Sequence, residues 1–126
     1  MSWINTSPTE ALLSAVKCWA TPMWTGLANV DDFNRDFQRL ATEYCWGEAW
    51  GDETLSPRER SILTLGMVAA IGRMGEFAIH VRGARANGLT QNELRAVLVQ
   101  IAIYCGIPVG ADCFQVAATI LSESKG

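Results

Sequence analysis

The sequence predicts an all-α domain of about six helices, and three observations predict it. A helix-start spelling, S/T-x-x-E, occurs at Ser7-Pro8-Thr9-Glu10, Ser56-Pro57-Arg58-Glu59 and Thr90-Gln91-Asn92-Glu93. In that spelling the hydroxyl accepts from the N–H of the third helical residue, and the glutamate reaches back to the cap. Apolar residues recur at helical spacing, and no segment sustains strand alternation. The links between the periodic segments are short, apart from an acidic, glycine-containing stretch at 47–55, and short links favour antiparallel neighbours.

The first helix is expected over about residues 8–20 and the second over about 31–46, with Phe33, Phe37, Leu40 and Tyr44 on one face. The third runs over about 57–72 and opens on Pro57, a position where no intrahelical N–H bond is lost. The fourth covers 74–87 and stops at Gly88, a left-handed cap residue. The fifth covers 91–105. Gly106-Ile107-Pro108 then breaks the chain before a sixth helix over about 108–122. The third and fourth helices are expected to form a central antiparallel hairpin.

At 126 residues, 49% hydrophobic and 18% charged, the whole chain, 1–126, reads as a single domain with a real core. The third and fifth helices are apolar nearly all round, which a small domain rarely covers alone. This predicts a homo-oligomer. A net charge of −3 without a basic cluster argues against nucleic-acid binding. The weakly polar run at 96–110 is too short to span a bilayer, and the opening residues carry no signal-peptide pattern, so a cytoplasmic location is expected with no membrane partner. The cysteines Cys18, Cys45, Cys105 and Cys113 form no C-x-x-C pair. With one histidine they predict no metal site and read as small buried hydrophobes.

That histidine, His80, carries the chemistry of the sequence. At about 100° per residue, Glu76, His80, Gly83 and Asn87 share one strip of the fourth helix. Phe77, Val81 and Ala84 border it on one side, Ile79 and Ala86 on the other. Gly83 leaves room beside the ring. Glu76, one turn before His80, is placed to fix its tautomer and favour its charged form. Spacing fits two readings: a general acid–base pair, or a helix-surface pair worth a few tenths of a kcal/mol. Arg60, Arg58 and Arg73 are the candidate anion binders, each equally readable as solvated charge. Arg82 and Arg85 point away from the strip.

Several pieces of wording, in order, are Trp46-Gly47-x-x-Trp50, Arg60-Ser61-Ile62, Glu76-x-x-x-His80, Ala86-Asn87-Gly88-Leu89-Thr90 and Ala102-Ile103-Tyr104-Cys105-Gly106-Ile107-Pro108. Together they resemble the carboxymuconolactone decarboxylase family. The resemblance implies an all-helical fold in ring-like homo-oligomers, commonly trimers or hexamers. It implies decarboxylation of 4-carboxymuconolactone to 3-oxoadipate enol-lactone, in the protocatechuate branch of the β-ketoadipate pathway, without metal or organic cofactor. By position it puts His80 and Glu76 in the places of the family's polar helix pair and Arg60 in that of its helix-start arginine; on that footing His80 and Glu76 read as the catalytic pair, and Arg58 and Arg73 as helpers to Arg60 in holding a carboxylate or lactone substrate. Trp46 and Trp50 become pocket walls, though simple packing suits them as well.

The alkyl-hydroperoxidase partner branch of the superfamily carries C-x-x-C and a histidine on the corresponding helix. Here Glu76 stands where the second cysteine would be. Decarboxylase members usually read W-x-R-P-G-L, whereas this chain reads Trp50-Gly51-Asp52-Glu53-Thr54-Leu55. Asp52 in place of arginine keeps another lactone or unsaturated acid open as substrate; a non-catalytic helical oligomer and a redox protein using Cys45, Cys105 or Cys113 stand as further alternatives.

Overall fold

The computed structural model describes residues 31–123. The expected first helix and Cys18 lie outside them. The described residues are helical, with no strand among them, and fall into two compact units, one ending at Pro57 and the other beginning at Arg58.

In the first unit, Asp31 and Asn34 hold each other in a side-chain turn. The Asp31 carboxylate accepts from the backbone N–H groups of Phe33 and Asn34, and Asn34 Oδ1 accepts from Asp31 N, each at 2.9 Å. This local bonding competes with the helix, so α1 begins only at Arg35 and spans Arg35–Leu40. It passes directly into a π-helix, Ala41–Ala49. The expected single α-helix over 31–46 is therefore corrected in start, end and type. The wider turn, continued by Trp50 N donating to Cys45 O at 3.0 Å, brings Thr42, Trp46 and Gly47 to the buried side. Phe33, Phe37, Leu40 and Tyr44, expected on one face, are exposed. Trp46 is buried and packs on Trp50 with ring centroids 5.5 Å apart and planes 40° apart. Such a pair adds about 0.5–1.5 kcal/mol beyond its burial. Asp52 then accepts from both the N–H (3.0 Å) and the hydroxyl (2.8 Å) of Thr54, forming a turn.

The second unit is built from α2 (Pro57–Ala70), α3 (Met74–Ala86), α4 (Gln91–Cys105) and α5 (Ile107–Glu123). The expected boundaries are met within one or two residues. Gly72 (φ 75°) ends α2 as Arg73 N donates back to Val68 O, and Gly88 (φ 97°) ends α3 as Leu89 N donates to Ala84 O. Both are six-to-one closures that need a left-handed residue. The Thr90–Glu93 capping box forms in full, with bonds of 3.1 and 3.0 Å.

The core draws Leu65 and Ala69 from α2, Phe77, Val81 and Ala84 from α3, Leu94, Leu98 and Ile101 from α4, and Cys113, Ala117 and Ile120 from α5. Each large side chain among them contributes roughly 1.5–3 kcal/mol of burial. The broadest helix-to-helix packing in this unit is that of α5 against α4 and α3. Gly110 lies inside α5, within the span expected for the last helix. A Cβ there would stand 2.4 Å from that of Ala102, so the glycine is what lets the two helices cross. Asn87 at the end of α3 donates to Ser61 near the start of α2 at 3.0 Å, which sets the two helices antiparallel; the broad packing of the unit runs instead through α5, so the expected central α2–α3 hairpin is corrected. Along these helices Leu63, Met67, Ile71, Ile103 and Tyr104 remain exposed on the single chain.

Candidate active site

Helix α3 places Glu76 and His80 one turn apart on one strip, and the neighbours expected on its apolar border are deep in the core. Phe77, Val81 and Ala84 are fully buried. This drags the strip inward. His80 is only 6% exposed, with its Nδ1 shielded from solvent, and Gly83 beside it is buried too. Burial lowers the His80 pKa below its ordinary value, because the low-dielectric surroundings penalise the imidazolium. The expectation that Glu76 favours the charged ring is thus reversed: desolvation wins, and the resting imidazole is neutral at pH 7.

The Glu76 carboxylate turns toward Arg73, whose guanidinium lies 3.9 Å from Oε1. Its other oxygen, Oε2, is buried and has no hydrogen-bond partner among the described residues. A buried acceptor left unmade costs roughly 1–3 kcal/mol. Such atoms recur where a protein keeps a position for a ligand, an ion or water.

The arginines differ sharply in what they touch. Arg58 forms a hydrogen-bonded ion pair with Glu93, so its guanidinium is engaged within the fold. The Glu93 carboxyl, held first by the Thr90 backbone N–H and aided by Arg58, titrates below its ordinary value. Arg82 pairs with Glu123 at 3.1 Å, and Arg85 donates to Leu89 O at 2.8 Å, both away from the strip as expected. Arg60 is half-buried, with its Nε shielded from solvent. It adjoins Ser61, and the Ser61–Asn87 bond ties that end of α2 to the end of the His80 strip. Spacing alone did not join Ser61 to Asn87. The signal was there in part: Asn87 shares the strip with Glu76 and His80, and the half-buried Arg60 precedes a serine that is wholly buried.

Trp46 and Trp50 belong to the other unit. Two cavities in the second unit, of about 230 and 290 Å3, are lined from α4 and α5 and from α3 and α5; neither includes Glu76 or His80. Cys45, Cys105 and Cys113 are free thiols. Cys113 is fully buried, and burial pushes its thiol up to about 11, so it holds almost no thiolate at neutral pH. Cys45 is exposed and Cys105 half-buried, which corrects the expectation of uniformly buried cysteines.

Residues 35–119 match the model of the carboxymuconolactone decarboxylase family, a span holding the α3 strip and every candidate residue. The chain belongs to that family. Among its relatives, a 4-carboxymuconolactone decarboxylase of Acinetobacter baylyi is 32% identical over 97 residues, which cover 77% of this chain and 72% of that protein. A nitrosuccinic acid decarboxylase of Metarhizium robertsii is 40% identical over 82 residues, covering 65% of this chain and 57% of the relative. The carboxymuconolactone decarboxylase family thus joins relatives named for two different acids, and both names describe loss of CO2.

Proposed function

We propose that the chain is a decarboxylase that removes CO2 from 4-carboxymuconolactone and yields 3-oxoadipate enol-lactone, in aromatic acid breakdown and without a cofactor. The observation that carries this reading is the α3 strip: a buried carboxylate oxygen with no hydrogen bond among the described residues, one turn from a buried, neutral histidine.

The departing carboxylate of this substrate sits γ to the lactone carbonyl, across a conjugated double bond. When the C–C bond breaks, its electron pair moves through that double bond to the lactone oxygen, and CO2 leaves. One proton then adds at carbon to restore the neutral product. The lactone is the electron sink, so the protein has to stabilise an oxyanion, keep water away and deliver one proton. A neutral imidazole suits the first task, since its N–H donates to the developing charge without an imidazolium to desolvate beforehand. Glu76 orients the ring and relays the proton from solvent. Arg60 holds substrate carboxylate through its planar fork, with Arg73 beside Glu76 as helper. Arg58 acts through its ion pair at the helix starts. Assembly into a trimeric or hexameric ring would cover the apolar side chains exposed along α2 and α4.

A second reading has a specific observation behind it. Asp52 replaces the arginine expected after Trp50, and its carboxylate is bound up in the Thr54 turn. The relative named for nitrosuccinic acid has the higher identity of the two. In an α-nitro acid the nitro group takes the electron pair that the lactone takes above, and the same N–H donor suits the nitronate oxygens. Measuring CO2 released from 4-carboxymuconolactone and from nitrosuccinate, each with purified protein, separates the readings. Turnover of the lactone is expected. Turnover of nitrosuccinate alone would establish the second reading, and no CO2 from either acid would overturn both.

A further inference from the structure

Away from the α3 strip, a cavity of about 230 Å3 opens between α4 and α5. Leu94, Leu98 and Ala117 form its floor, all of them core residues, and Phe114 forms one wall. The mouth is polar, with Gln91 and Arg95 from the first turns of α4. Arg95 differs from the other arginines of this unit. Arg58, Arg73, Arg82 and Arg85 are each tied to a carboxylate or a carbonyl, and Arg60 has its Nε shielded. Arg95 is exposed, and no hydrogen bond or ion pair holds it among the described residues.

We propose that this cavity binds a small aromatic monocarboxylate, with its ring on Leu94, Leu98 and Phe114 and its carboxylate on Arg95. Size and chemistry agree on that class. An apolar cavity of roughly 150 Å3 accepts benzene, so the volume here holds a ring and leaves room for one planar acid group. Phe114 offers the ring an aromatic neighbour. The arginine fork matches a carboxylate with two parallel bonds and gives a neutral ring nothing comparable. None of the lining residues lies on α3, so the site is separate from His80 and does not rest on the proposed reaction.

The test uses benzoate as probe and benzamide as its neutral counterpart, with binding followed by amide shifts in two-dimensional NMR and by calorimetry. Benzoate is expected to bind saturably, once per chain, shifting residues around Leu98, Phe114 and Ala117. Benzamide should bind at least about tenfold more weakly, as should benzoate to Arg95→Gln, since a charge-assisted pair is lost in each case. Ala118→Phe fills the cavity from an exposed position and should abolish the shifts while leaving the fold intact, and His80→Ala should leave benzoate affinity unchanged. Equal affinity for benzoate and benzamide would overturn the proposal, as would unchanged affinity in both cavity variants. So would a change of oligomeric state in Ala118→Phe without loss of benzoate binding, which would make the cavity a contact surface between chains.

Discussion

Two clusters of charged side chains in the second unit use their polar atoms in opposite ways. At the start of α4, Glu93 accepts from the Thr90 backbone, is capped in return and pairs with Arg58. Every partner comes from the chain, and the cluster holds helix starts together. On α3, Glu76 has one oxygen 3.9 Å from Arg73 and the other buried without a hydrogen bond among the described residues, beside a histidine that burial keeps neutral. That cluster weakens the fold where it stands. The difference teaches that acid residues at helical spacing cannot be sorted by sequence neighbours alone. What separates a structural pair from a reaction site is whether the chain itself completes the bonding.

Three substitutions or conditions sharpen the contrast, taken from the largest effect downward. Glu76→Gln should cut turnover at least about tenfold, in the direction of losing an acid–base partner, while the melting temperature stays level or rises because a buried charge is gone. A fall in stability with full turnover would move Glu76 into the structural class. Thr90→Ala removes the cap and should cost about 1 kcal/mol, a drop of roughly 3–6 °C in melting temperature for a domain of this size, with turnover little changed. Lost turnover in a folded Thr90→Ala protein would break the distinction between the clusters.

The third concerns pH. Because the folded-state pKa of His80 lies below its unfolded value of about 6.5, the unfolded chain binds the extra proton first. The stability tied to neutral His80 is present above that value and is lost as pH falls through the folded pKa. Urea unfolding at a series of pH values from 7.5 downward should show this decline, and His80→Ala should remove that part of the slope.

Much of the scaffold could be read from the chain because its signals are local. Thr90 and Glu93 are three residues apart, and Gly88 sits where a left-handed residue must. The π-helix could not be read this way. Phe33, Phe37, Leu40 and Tyr44 match a 3.6-residue period, and nothing in the letters announces the shift to i→i+5 bonding that turns Thr42, Trp46 and Gly47 inward instead. At the site, the strip of Glu76 and His80 was legible from spacing. Its depth was not, since that depends on how far Phe77 and Val81 sink into a core contributed by four helices. The neutral ring follows from that depth. The Ser61–Asn87 and Arg58–Glu93 contacts join residues 26 and 35 positions apart, beyond any helical period.

The central claim is that the α3 strip is a reaction centre, and the direct test is the turnover of His80→Ala, read as CO2 released from 4-carboxymuconolactone. Circular dichroism would establish that the variant is folded. A loss of at least about a hundredfold in turnover is expected, the lower range for an acid–base group. Near-wild-type turnover in a folded His80→Ala protein would contradict it.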